Sequence, residues 1–245
     1  MHKIDRCRSN IGKSKNQTFT PHPNPNIDAI RESGMIILHH QSVVVLGAMN
    51  PAIHHPAWYQ AMSIITEAEF EESLRNQVIV TPQLTQFKTE NLVLDCTLER
   101  WQVSSEAEEI NRIMTLAKTT FEKLYHTPVG AYGINHDFHI ETKREIAPIL
   151  MSIIGKTDLP FPPHEEGTAA IIYTAERDDC KFRTVISISP RGQNFLYIQN
   201  NVHFDISSEK KEHFDLGPLL DRAFQINEER SQLMRSSLTN AIEGF

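Results

Sequence analysis

The 245-residue sequence has no long apolar run and only three cysteines, Cys7, Cys96 and Cys180. A membrane-spanning helix needs roughly 20 apolar residues, whereas the longest apolar run, Ser42–Met49, has the length of a strand. The first residues contain no apolar core of the signal-peptide type, so we expect no export. The cysteines are scattered without metal-ligand spacing, which favours free thiols in a reducing compartment, the cytoplasm.

Glycine is also scarce, and the recurrent catalytic motifs are missing. The ten glycines do not cluster, which disfavours a phosphate-binding loop or a dinucleotide fingerprint, and no Gly-Xaa-Ser-Xaa-Gly elbow occurs. Cys96 lies in an alternating strand pattern typical of a small buried residue. Asp178 and Asp179 stand beside Cys180 and would raise its pKa. The sequence therefore predicts no catalytic residue and no cofactor.

The charge is negative and unevenly distributed. Residues 1–34 contain six Lys/Arg and three acidic residues, so this segment carries +3 and the remaining chain −10, for a net charge of −7. An acidic body argues against a broad nucleic-acid-binding face. The polar, proline-rich segment 1–34 predicts a disordered basic tail. Two interpretations stay open: a tail that contacts a partner, nucleic acid being the less favoured one, or an extension upstream of a native start at Met35.

From residue 35 onward, the same order of elements occurs twice, which predicts two β-α-βββ-α units. The first spans residues 35–127 and the second residues 128–245, with a long C-terminal helix. The predicted strands are 36–47, 78–81, 84–89, 92–104, 129–140, 168–176, 182–189 and 195–206. The predicted helices are 58–65, 67–76, a helix beginning at residue 105, 143–154 and 219–242; the segment 157–167 is a predicted loop.

Short sequence matches support a duplication. Trp101-Gln-Val-Ser-Ser-Glu106 is similar to Phe204-Asp-Ile-Ser-Ser-Glu209, and each is a predicted junction from strand to helix with serines as helix caps. A weaker match relates Gly47-Ala-Met-Asn50 to Gly133-Ile-Asn135.

The order of elements resembles the duplicated TATA-binding-protein-like fold over residues 36–242. That resemblance implies an α+β protein with a curved antiparallel sheet and helices packed on one face. It does not imply DNA binding, because the charge is wrong and no residue motif matches. The strings Arg100-Trp-Gln-Val-Ser104 and His126-Thr-Pro-Val-Gly-Ala-Tyr-Gly-Ile-Asn135 also resemble a sporadically distributed group of bacterial proteins with no assigned activity.

The histidine-rich loop after the first strand is the main candidate for a partner-binding site. Prolines stiffen it, imidazoles change charge near neutral pH, and a tryptophan can anchor a partner. The alternative is that Pro56 simply starts a helix and that the tryptophan belongs to the core. The repeat places this loop opposite the second unit's first strand, so the predicted partner-binding residues are Asn50, His54, His55, Trp58, Asn135 and His136.

Two functional hypotheses follow. The favoured one is a non-enzymatic protein-binding or assembly protein that uses its sheet face or loops, with another protein or a second copy as partner. The polar interruption at residues 227–232 further suggests that half of the last helix is free to dock. The alternative is a metal-dependent hydrolase built from His54, His55, His136 and His139. Strand alternation disfavours it, because His136 and His139 would point to opposite faces.

Overall fold

A computed structural model describes residues 36–107, 109–142, 145–148, 150, 170–177, 180–206 and 215–243. The predicted disordered tail, most of the predicted helix 143–154, the predicted loop 157–167 and the second Ser-Ser-Glu junction lie outside these residues.

The described strands form a single nine-stranded sheet in which all neighbours are antiparallel. Its order is β2-β3-β4-β5-β1-β6-β9-β8-β7. The strands are β1 (Ile36–Gly47), β2 (Ile79–Val80), β3 (Leu84–Lys88), β4 (Val93–Thr97), β5 (Arg100–Ser105), β6 (Val129–Glu141), β7 (Ala170–Arg177), β8 (Cys180–Ile188) and β9 (Phe195–Asp205).

The described helices pack on one face of this sheet, called here the helix side; the opposite face is called the open face. They are α1 (Pro56–Ala61), α2 (Glu67–Arg75), α3 (Ile110–Lys123) and α4 (Leu216–Glu243), with a 3-10 turn at Pro51–Ile53 before α1. Helix α2 begins with a capping box: Thr66 Oγ1 accepts from the Glu69 amide, and Glu69 Oε2 accepts from the Thr66 amide at 2.7 Å.

The two halves pair their strands in the same order, and the predicted α+β fold is confirmed. Strands β1 and β6 lie side by side at the centre, and β5, β4, β3 on one side correspond to β9, β8, β7 on the other. Trp101 in β5 lies opposite Cys96, as Phe204 in β9 lies opposite Cys180. The matching strings that begin at Trp101 and Phe204 thus lie on corresponding strands, and each has a cysteine opposite its aromatic residue on the next strand. The origin of the units by duplication stays a prediction.

Three predicted boundaries in the first half are wrong. The helix predicted at 58–65 is α1, which ends at Ala61. Segment 92–104 is a hairpin of two strands, β4 and β5, separated by Leu98 and Glu99. The third helix begins at Ile110, whereas the sequence predicts a start at Ser105. Ser105 is instead the last residue of β5, where it pairs with Gln41, and its hydroxyl accepts the Ala107 amide at 3.1 Å. The serine thus ends the strand with a local turn.

The hydrophobic core crosses the boundary between the halves. Its larger cluster contains Trp101 from the first half together with Phe204 and Leu220 from the second, all at most 1% exposed. A smaller cluster lies under the second half around Phe138 and Ile198.

A polar row separates these clusters on the helix side. Gln41, His136, Asn200 and Thr184 pair in register across four neighbouring strands. Asn200 Nδ2 donates to Ser231 Oγ of α4 at 3.2 Å. The polar interruption at residues 227–232 therefore faces the sheet: Asn227 is 3% exposed and Ser231 is fully buried. Residues 227–232 are therefore not themselves free to dock, whereas the next residue, Leu233, is 67% exposed.

Candidate functional site

The histidine-rich loop is fixed at one end by the sheet and at the other by helix α1. Its Pro51 carbonyl accepts the Thr85 hydroxyl of β3 at 2.6 Å. At the other end, His55 Nδ1 accepts the Ala57 amide at 3.0 Å and caps α1, with Pro56 at the first helical position as the alternative interpretation expected. Asn50 is exposed at the entry to the loop and makes no side-chain cap.

His54 belongs to a buried chain of hydrogen bonds. Trp101 Nε1 donates to Tyr59 Oη at 2.9 Å, and Tyr59 Oη lies 2.7 Å from His54 Nδ1. Because the indole can only donate, the tyrosine oxygen accepts from Trp101, which leaves the tyrosine proton available for His54 Nδ1. Burial lowers the pKa of His54 to about 4, so this imidazole is neutral near pH 7 and does not switch charge there as the sequence suggested.

Trp58 packs at the margin of the core. Its ring meets Tyr59 edge-on with centroids 4.9 Å apart, and it is half-buried against the larger cluster. These contacts favour a packing role.

The predicted partner-binding residues of the two halves do not come together. Gly47, at the start of the loop, pairs with Val129, whereas Asn135 pairs with Ser42. Six strand residues separate these positions, which is about 20 Å. Asn135 lies on the open face, and its neighbour His136 lies on the helix side, 2% exposed and 3.4 Å from Gln41 Nε2.

The histidines of the alternative metal site are also apart. His139 lies on the open face, where its Nδ1 is 2.7 Å from Ser189 Oγ and its ring meets Tyr197. His136 lies on the other face of the same strand, as alternation predicts. Among the described residues, no group of three or more His, Cys, Asp or Glu side chains could hold a metal ion.

The open face carries two hydrogen-bonded rows that strand alternation alone does not reveal. In the first row, Asn201 Nδ2 donates to Asn135 Oδ1 at 2.6 Å, and Asn135 Nδ2 donates to Ser42 Oγ at 2.9 Å. These bonds cross β9, β6 and β1 and fix the amide orientations.

The second row is centred on a carboxylate. Asp137 Oδ2 lies 3.4 Å from His40 Nδ1 and accepts Gln199 Nε2 at 3.5 Å. Gln199 Oε1 in turn accepts Arg183 Nη1 at 3.3 Å. The hydrogen bond to Asp137 raises the pKa of His40, while burial and the negative charge of Asp137 raise the pKa of Tyr197 to about 12. Sequence reasoning missed this row because it depends on the register between β1 and β6.

A groove of about 440 Å³ lies on the open face over β7, β8 and β9. Lys181 Nζ and His203 Nε2 flank Asp205 at 2.6 and 3.1 Å, and Lys181 lowers the pKa of this carboxyl. Arg183 lies in the same groove, exposed, with an amide oxygen as its partner. The groove thus offers charges of both signs on neighbouring strands of the sheet.

The chain matches no protein-family model, and no curated protein is significantly similar to it. What the structure defines is therefore a class: an α+β protein with a single antiparallel sheet, helices on one side and a polar open face.

None of the described helices combines the length and the apolar composition that crossing a bilayer requires.

Proposed function

We propose that this protein is a non-enzymatic protein-binding or assembly protein that engages its partner through the open face of the sheet. The observation that carries the proposal is the pair of hydrogen-bonded rows across β1, β6, β9 and β8. Side chains held in one arrangement lose little further entropy on binding, and such preorganisation favours affinity.

The charges of the open face favour a protein over nucleic acid. Lys181, Arg183 and His40 are interspersed with Asp137 and Asp205. Phosphate backbones require a predominantly positive surface, whereas a polar surface of mixed sign is typical of the rim and polar part of protein interfaces.

The contacts on this face do not favour catalysis. Ser189 and His139 are in hydrogen-bond contact, but they are only 4% and 8% exposed, so the hydroxyl is not presented to a substrate. It also accepts the Arg191 amide at 3.0 Å, which is typical of a structural turn. The histidines of the metal-dependent alternative lie on different faces and at different ends of the sheet.

The test compares one substitution on the open face with a matched one on the helix side. Gln102→Arg adds a long cation at a half-buried open-face position of β5; Thr115→Arg adds the same cation at an exposed position of α3. The immobilised full-length chain and both variants are incubated with native-host lysate, and the bound proteins are quantified by mass spectrometry. Sedimentation velocity measures self-association in parallel.

We expect Gln102→Arg to reduce recovery of the partner, or the dimer affinity, by about tenfold or more, with Thr115→Arg equal to the unmodified protein. Equal recovery with both variants would contradict the use of the open face. A protein that stays monomeric and retains no partner would contradict the proposed function itself.

A further inference from the structure

A second cavity lies on the helix side, away from the open face, between the edge strand β7 and the C-terminal half of α4. Its volume is about 330 Å³. Ile171, Ile186 and Met234 form apolar walls, and Tyr173 and Leu233 form a rim that is 55% and 67% exposed. Pockets for small molecules combine apolar walls of this kind with a few fixed polar groups.

Arg230 supplies the fixed polar group of this cavity. Its Cζ lies 4.7 Å from the centre of the Phe182 ring and 5.3 Å from that of Tyr173. Its Nη2 donates to Thr184 Oγ1 at 3.2 Å. The two rings and the hydroxyl hold the guanidinium plane in one position, which suits a planar anion.

Arg230 is half-buried, and none of the ion pairs among the described residues includes it. Its Nε is buried without a hydrogen-bond partner. The neighbouring acids of α4 are engaged elsewhere: Glu229 accepts from Gln225 and Glu228 accepts from Gln232. A partly desolvated cation with unused donors is costly unless an anion joins it.

We propose that this cavity binds a small amphipathic carboxylic acid. The carboxylate accepts N–H groups of Arg230, and the hydrocarbon chain lies against Ile171, Ile186 and Met234. At about 30 Å³ for each water-sized group, a cavity of 330 Å³ holds on the order of ten non-hydrogen atoms. A straight-chain acid such as octanoate has this size. The inference is independent of the proposed partner-binding role, because it concerns the other side of the sheet.

Isothermal titration of the full-length chain with sodium octanoate tests the proposal, with octan-1-ol and octylammonium as probes of the same length. Saturable one-site binding of octanoate is expected, and the neutral and cationic probes should bind more weakly by about tenfold or more, as expected from the loss of charge-assisted hydrogen bonds. Equal affinity for octylammonium, or no saturation by octanoate at about 10 mM, would overturn the proposal.

The decisive variant is Arg230→Gln, and Arg222→Gln is its control. Arg222 is on the same helix and also stacks on an aromatic ring, 5.7 Å from the Phe204 centroid, but it does not line the cavity. Arg230→Gln should weaken octanoate binding about ten- to a hundredfold, and Arg222→Gln should leave it unchanged. If the folded Arg230→Gln variant bound octanoate as tightly as the unmodified protein, Arg230 would not be the group that binds the carboxylate.

A rim variant keeps the test decisive if Arg230→Gln does not fold. Leu233 is largely solvent-exposed, so Leu233→Glu should preserve the fold while placing a negative charge beside the bound carboxylate. It should weaken octanoate binding and not octan-1-ol binding. Equal weakening of both probes would contradict recognition of the charge.

Discussion

At the scale of single residues, burial decides which histidines can act as switches. In the sequence, His54 lies between two prolines and resembles a surface histidine. In the structure it is 2% exposed and hydrogen-bonded to the buried Tyr59. His40 differs because its partner Asp137 stabilises the protonated form and raises the pKa. The two imidazoles therefore contribute to stability with opposite pH dependence.

His54 should make the protein less stable as the pH falls. Its pKa is about 4 in the folded protein and 6.5 when unfolded, so the unfolded chain binds the extra proton between these values. The free energy of unfolding is therefore unaffected by His54 titration above pH 6.5. It falls progressively between pH 6.5 and pH 4, by about 3 kcal/mol in all. His54→Asn keeps a side-chain acceptor for Tyr59 and removes the titration.

Urea unfolding near pH 7 and near pH 4 measures the effect. His54→Asn should lose less free energy of unfolding across this interval than the unmodified protein does. The exposed His126 provides the control, because His126→Asn should follow the unmodified protein. If His54→Asn and the unmodified protein lost equal stability, a protonated His54 would have to be accommodated in the fold.

The sequence predicts which faces residues occupy better than it predicts which residues meet. Alternation along β6 correctly separates His136 from His139. The contact between His40 and Asp137 joins residues 97 positions apart, and only the register between β1 and β6 creates it. A change of register by one residue would move Asp137 to the other face, so no local pattern could have revealed this pair.

At the scale of elements, periodic segments are predicted well and junctions poorly. Strands β6, β8 and β9 begin and end within two residues of their predicted limits. The β4–β5 hairpin was missed because Leu98 and Glu99 lack the glycine, proline or asparagine that signals a turn. The polar interruption at residues 227–232 of α4 was interpreted as the point where the helix leaves its core, because the sequence alone does not show that Asn200 and Thr184 provide polar partners on the sheet.

The polar contact between α4 and the sheet should contribute measurably to stability. Thr184 Oγ1 donates to Asn200 Oδ1 at 2.8 Å and accepts from Arg230 Nη2 at 3.2 Å. Thr184→Val preserves the shape of the side chain but removes the hydroxyl that Asn200 Oδ1 and Arg230 Nη2 contact. The free energy of unfolding should therefore fall by about 1–3 kcal/mol. Thr174→Val, at an exposed position of the neighbouring strand, is the control for urea unfolding. If Thr184→Val lowered the free energy of unfolding no more than Thr174→Val does, the hydrogen bonds of Thr184 would contribute nothing to stability.

At the scale of the whole molecule, the two units share one sheet and one main core. The central strands β1 and β6 pair along eleven residue positions. The helix side of the joint holds Trp101 from the first unit next to a cluster that includes Tyr132, Phe204 and Leu220 from the second. Separating the units would expose both a strand edge and the centre of this core. We therefore expect the described fold to unfold as one cooperative body.

One described cysteine in each unit can serve as a probe of unfolding. Cys96 lies in the first and Cys180 in the second; they are fully buried and 3% exposed. Burial raises the pKa of Cys96 to about 12, so its thiol is unreactive while folded.

Iodoacetamide labelling at increasing urea concentrations, read for each cysteine by peptide mass spectrometry, should give one shared midpoint. That midpoint should coincide with the fluorescence transition of Trp58 and Trp101. Labelling of Cys180 at clearly lower urea than Cys96 would show that the second unit opens by itself, and the single-body interpretation of the sheet would then be wrong.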